Sequence, residues 1–129
     1  MEKVLLDSDI IIDFLRTGKG LLPVLLNLQK INKTEIYLSS VSIFELFAGQ
    51  SSKKDETYLL SLISTIEVIP FDHNIAKLAG EIKRDKKVSI ALADFFIGVT
   101  SLYLEAKLAT RNKEHFRGLK GVKFWKVAF

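Results

Sequence analysis

Short apolar runs alternate with helix-spaced apolar faces along this chain, and the alternation marks out its elements. The first run, Val4–Leu6, stops at Asp7, and the stretch VLLDSDIIIDFL that it opens also carries Asp9 and Asp13. An apolar run bounded by polar residues predicts a buried strand, although one this short also fits a buried helix segment. Ile10 to about Leu15 predicts a short helix capped by Asp9 and ended by Thr17 and Gly18. Leu21 to Lys33 predicts a second helix, with Pro23 in its first turn. Further strands are predicted at Ile36–Leu38, Val68–Phe71, Leu108–Thr110 and Val122–Val127. Further helices are predicted from Ser42 to near Gly49, from Glu56 to about Thr65, after the cap Asp72, and from Ile90 to about Glu105. Gln50 to Asp55 reads as a polar loop, Lys83 to Lys87 as a charged joint, and Asn112 as the start of a helical turn.

Strands alternating with helices predict a parallel sheet covered on both faces, an α/β layer sandwich. With 129 residues and no repeat or linker, residues 1–129 form a single domain. In such a fold the crossover helices return antiparallel to the strands, so their N-termini lie at the strands' C-terminal edge, where open α/β sheets bind ligands. Asp7 sits at that edge. Glu45 in the first turn after the second strand, Asp94 near the start of its helix, and Asn112 past the next strand arrive there too.

Composition narrows the classes. The chain is 48% hydrophobic and 26% charged, which excludes a disordered polyampholyte. It has no cysteine, hence no disulfide framework, thiolate metal site or thiol nucleophile. Acids interrupt the N-terminus where a secretory leader would need an apolar core, and no stretch of about 20 apolar residues could span a membrane. A cytoplasmic location is the expectation. The formal charge of +4 suits nucleic acid or an acidic partner.

Each acid has an ordinary reading to set against a chemical one. Asp94, in IALADFFIGV, is the only charged residue from Val88 to Leu104. Interaction with the helix dipole, well under ~1 kcal/mol at most exposed sites, is too small to keep a carboxylate among such neighbours. Glu45 is the sole charge between Ile36 and Ser52; Ser42 and Glu45 form a capping-box pattern, so only its company favours chemistry. Asp7 taken alone would be a turn residue. Asp9 reads as a helix cap, Asp13 as a solvated face residue, His115 as a surface or packing residue, and Trp125 as packing. Carboxylates ~4 Å apart repel by roughly 4 kcal/mol at an effective dielectric near 20. Three sharing a crevice therefore need a proton or a cation, and an all-oxygen set with room for water suits Mg²⁺ or Mn²⁺. Arg16, Arg111, Lys113 and Arg117 flank these acids in sequence and could hold a phosphate chain, although such charges are commonly a solvated surface pattern.

Three stretches, LLDSDIIIDFLR, SSVSIFELFAG and IALADFFIGVTSLYLEAKLATRNKEHF, in this order and spacing, closely resemble a PIN-domain ribonuclease of the VapC toxin type. The resemblance runs essentially end to end. It implies a PIN-like three-layer α/β/α sandwich with a five-stranded parallel sheet in the order 3-2-1-4-5. It also implies Mg²⁺- or Mn²⁺-dependent endoribonuclease activity on tRNA, rRNA or mRNA, by attack of metal-activated water that leaves 5′-phosphate and 3′-hydroxyl ends. Asp7, Glu45 and Asp94 would be the catalytic, metal-binding acids. Asn112 stands where many relatives have a fourth acid, which places a second metal in doubt. Asp9 stands where relatives often have Asn, and Ser42 matches a Ser/Thr that helps orient the site. The implied partners are RNA, a VapB-type antitoxin and a second copy of the chain.

Other readings remain. Asp7-Ser8-Asp9 after an apolar strand also resembles the nucleophile motif of haloacid-dehalogenase-like phosphatases, and Asp7 with Asp72 suggests a receiver domain. Both leave Asp94 unexplained. A PIN fold that only binds RNA or protein is the non-enzymatic alternative.

Overall fold

The computed structural model describes residues 1–49 and 55–127; the predicted loop from Gln50 therefore lies outside the described residues except for Asp55. The expected strands form as β1 (Glu2–Leu6), β2 (Thr34–Ser39), β3 (Glu67–Ile69) and β4 (Lys107–Ala109). They make one parallel sheet in the order β3-β2-β1-β4. The predicted fifth strand does not form as such. Val122–Val127 contributes a single parallel bridge, Leu108 to Phe124, on the free side of β4. Its two hydrogen bonds run from Leu108 N to Lys123 O and from Trp125 N to Leu108 O. The cause is local: β4 has only three residues and offers that side little more than the amide and carbonyl of Leu108. The order 3-2-1-4-5 thus survives in position, with four strands and a bridge.

Alternation along β1 divides the core. Val4 and Leu6 face one layer with Ile10, Ile11, Leu22, Leu25, Leu46 and Trp125, whereas Leu5 faces the other with Ile97, Leu108 and Phe116. The helices are α1 (Ser8–Thr17), α2 (Leu21–Lys30), α3 (Ser40–Ala48), α4 (Glu56–Ile63), α5 (His73–Asp85) and α6 (Leu92–Leu104). α2 stops before the predicted Lys33 because the chain reverses at Asn32, whose φ is 59°. Asp72 caps α5 as expected, accepting from Ile75 N at 3.0 Å. A 3-10 turn, Lys113–Phe116, follows Asn112. It and the residues after it pack closely on α6, where a methyl group on Gly98 would come within 3.4 Å of Phe116 Cδ1 and 2.6 Å of Leu119 Cδ2. No helix among the described residues is long and apolar enough to cross a membrane.

Candidate active site

Asp7 is the residue immediately after β1 and the N-cap of α1, where the chain turns at the C-terminal edge of the sheet. Pairing of Leu6 with Ala109 sets Thr110, the residue after β4, beside it. Asp7 N donates to Ala109 O, and Thr110 Oγ1 donates to Asp7 Oδ2 at 2.8 Å. Both side chains are buried, Asp7 to 4% exposure.

Asp9 is not the cap of α1 but its second residue, because the helix begins at Ser8, and its carboxylate is used across the crevice. Asp9 Oδ2 accepts from Arg111 N at 3.0 Å, from Asn112 Nδ2 at 3.0 Å and, more distantly, from Thr110 Oγ1 at 3.2 Å. Its other oxygen, Oδ1, is buried without a partner.

The capping-box reading of Glu45 also fails. Ser39 caps α3, accepting from Val41 N, which moves Ser42 inside the helix and Glu45 into its second turn. Glu45 reaches instead to α1, where its Oε1 accepts from Ser8 Oγ at 2.9 Å. Ser42, fully buried, keeps an unpartnered Oγ one helical turn before Glu45. Asp94 lies in the first turn of α6, facing His115 from the 3-10 turn with Nδ1 to Oδ2 at 3.6 Å.

These acids share one electrostatic field. Burial first, then the charge of Asp9 and those of Asp94 and Glu45, push the Asp7 pKa up to about 7, against the lowering effect of Thr110. Burial likewise raises Asp9, Glu45 and Asp94, with Asp94 and Asp9 adding to the shift of Glu45 and His115 opposing that of Asp94. Among the described bonds of Asp7 none comes from a basic side chain. As the side chains stand, no three His, Asp or Glu groups among the described residues are set closely enough to hold a metal ion directly. The donor set nonetheless fits a hydrated hard cation: all oxygens, excess negative charge, and an orphaned buried oxygen on Asp9.

The basic candidates separate. Arg111 joins the site through its amide on Asp9, and its guanidinium pairs with Asp13 at 3.0 Å, so Asp13 is an ion-pair partner and not a solvated face residue. Arg117 pairs with Glu114, Lys113 lies over the Phe124 ring, and Arg16 sits exposed at the far end of α1. Thr110 and Ser8 had no distinguishing mark in the sequence, since a hydroxyl beside a strand end is common. His115 lies at the surface as expected, but its approach to Asp94 depends on the 3-10 turn and carries no mark in the sequence. Trp125 packs into the core as expected.

The model of the PIN domain family matches residues 4–121. The chain belongs to the PIN domain family. Membership removes the phosphatase and receiver readings of the Asp7 motif. This PIN domain is 27% identical over 121 residues to "Ribonuclease VapC1" of Methanocaldococcus jannaschii, a match covering 92% of the chain and 82% of that protein. Its fold is shared with VapBC2 from Rickettsia felis bound to a promoter DNA fragment, at 18% identity, TM-score 0.80 and coverage of 98% and 99% of the two chains. It is shared equally with DNA-bound VapBC from Salmonella typhimurium, at 20% identity, TM-score 0.82 and coverage of 97% and 98%.

Proposed function

We propose that this PIN domain is a Mg²⁺- or Mn²⁺-dependent endoribonuclease and the toxin of a VapBC-type toxin–antitoxin pair. One observation carries the reading: Asp7 is buried in the field of Asp9, Asp94 and Glu45 with no bonded base to offset it. The similarity to a protein named as a VapC ribonuclease supports it, and the shared fold with VapBC complexes supports a VapB-type antitoxin as partner. In this reading Asp7, Glu45 and Asp94 hold the cation, partly through its water, since Mg²⁺ usually retains several waters. Bound there, the cation supplies Lewis-acid charge to the phosphodiester and lowers the pKa of the attacking water. The protein's own residues prepare the place. Thr110 keeps Asp7 oriented, Ser8 holds Glu45, and Asn112 and the amide of Arg111 hold Asp9. Ser42 offers its unpartnered hydroxyl at the turn below Glu45. Arg111, Arg16, Lys113 and Arg117 are the candidate contacts to the RNA backbone. A homodimer in the cytoplasm completes the proposal.

The test is incubation with total cellular RNA, with Mg²⁺, with Mn²⁺ and with EDTA, alongside Asp94→Asn. The expected result is metal-dependent cutting that leaves 5′-phosphate ends and disappears in the variant. Undiminished activity in EDTA or in Asp94→Asn overturns the mechanism, and RNA bound but never cut identifies a binding module.

A further inference from the structure

α1 presents two acids one helical turn apart to the same neighbour. Asp9 accepts the backbone amide of Arg111, and Asp13 Oδ1 takes the Arg111 guanidinium at 3.0 Å. The two ends of this pair differ in freedom. The Asp13 side chain is 16% exposed and that of Arg111 is 55% exposed. Asp13 is also walled in, because a methyl group on Gly20, whose φ is +92°, would come within 2.3 Å of Asp13 Oδ2. A planar guanidinium has donors on more than one edge, and one carboxylate does not occupy them all. Arg111 is therefore tethered beside the acids with donors still facing solvent.

We propose that Asp13 is a positioning residue that holds Arg111 at the rim of the acid crevice, so that its free N–H groups receive an RNA phosphate next to the one being cut. The inference rests on the ribonuclease reading. It makes a prediction of unusual sign: removing a negative charge beside a nucleic-acid site ordinarily tightens binding, whereas removing Asp13 here weakens it.

Binding of a fluorescent single-stranded RNA in EDTA, where no cutting occurs, measures this for the full chain. Arg111→Gln is expected to lose about tenfold in affinity and to flatten the dependence of log Kd on log salt by about 0.7. Asp13→Ala is expected to lose about threefold to fivefold, and to lose nothing further when combined with Arg111→Gln. Equal or tighter binding by Asp13→Ala overturns the inference, as does additivity in the double variant. Should Asp13→Ala not fold, Arg111→Lys decides, since it keeps the charge but not the fork; wild-type affinity in Arg111→Lys overturns the inference. Wild-type protein that binds and cuts RNA while Asp13→Ala behaves normally removes only this inference. Wild-type protein that neither binds nor cuts RNA removes the ribonuclease reading as well.

Discussion

Thr110 donates its hydroxyl to Asp7 Oδ2 at 2.8 Å, in a buried position and across 103 residues of chain. The same hydroxyl accepts from Asn112 N at 3.0 Å, which orients its proton towards the acids. A bond donated to a carboxylate favours its charged form, so Thr110 opposes the burial and repulsion that drive Asp7 towards neutrality.

Thr110→Val removes that opposition at nearly constant volume. The Asp7 pKa, already about 7, moves higher, and the ionised fraction at pH 7 falls. Because a proton on Asp7 competes with the cation, cleavage at limiting Mg²⁺ should drop about fivefold to tenfold at pH 7 and converge with wild type in alkaline solution or at saturating Mg²⁺. A uniform loss at every pH would mean that Thr110 acts on packing alone.

Stability should respond to the same group. The ordinary carboxyl value is 3.8 and the folded value about 7, so between these pH values the native state holds more protons than the unfolded one. Stability of the metal-free protein therefore declines as pH rises through this window, by on the order of 4 kcal/mol from Asp7 when fully ionised. Asp9, Glu45 and Asp94, also raised, act in the same direction. Thermal melts in EDTA should show Tm falling from pH 5 to pH 8, and Mg²⁺ or Mn²⁺ at pH 8 should recover much of the loss. A Tm that climbs over that range in EDTA refutes the account.

Much of this was legible in the sequence for identifiable reasons. Val4–Leu6 ending at Asp7, and Asp94 alone in an apolar helix, are local contrasts that any parallel α/β packing must bring to one sheet edge. What escaped depended on exact helix starts or on cross-strand register. Ser39 took the cap that Ser42 was expected to provide, which freed Glu45 to meet Ser8. Starting α1 at Ser8 turned Asp9 from a cap into the acceptor for the loop after β4. Thr110 acquired its meaning only from the Leu6–Ala109 pairing. The fifth strand shrank to a bridge because its neighbour is short, and nothing within Val122–Val127 itself encodes that.

Asp94→Asn should separate stability from activity. The substitution removes a charge raised by burial and relieves its repulsion of Asp7 and Glu45, at the cost of its weak contact with His115. In EDTA at pH 8 the variant should melt at the wild-type temperature or a few degrees higher, while cutting falls by about a thousandfold or more. A variant that melts well below wild type would show that Asp94 supports the fold, and the activity loss could no longer be read as chemistry.

Asn112→Asp tests whether the departure from the fourth acid is tolerated or required. Asn112 Nδ2 donates to Asp9 Oδ2 at 3.0 Å, and an Asp at this position would replace that donor with a second carboxylate facing the first. The hydrogen bond is lost and a like-charge contact takes its place beside an Asp9 whose pKa burial already raises. Metal-free Asn112→Asp should therefore lose about 1–2 kcal/mol at pH 8 and less towards pH 5, because burial and like charge both favour proton uptake by the new pair. If the additional acid creates a competent second cation site, Mn²⁺ should raise its Tm further than it raises that of wild type. If it merely breaks the hold on Asp9, the Mn²⁺ response stays at the wild-type increment and activity falls. Denaturant melts at both pH values, each with and without Mn²⁺, distinguish the two outcomes; an unchanged metal-free stability would show that the Asn112–Asp9 bond contributes nothing to holding the loop.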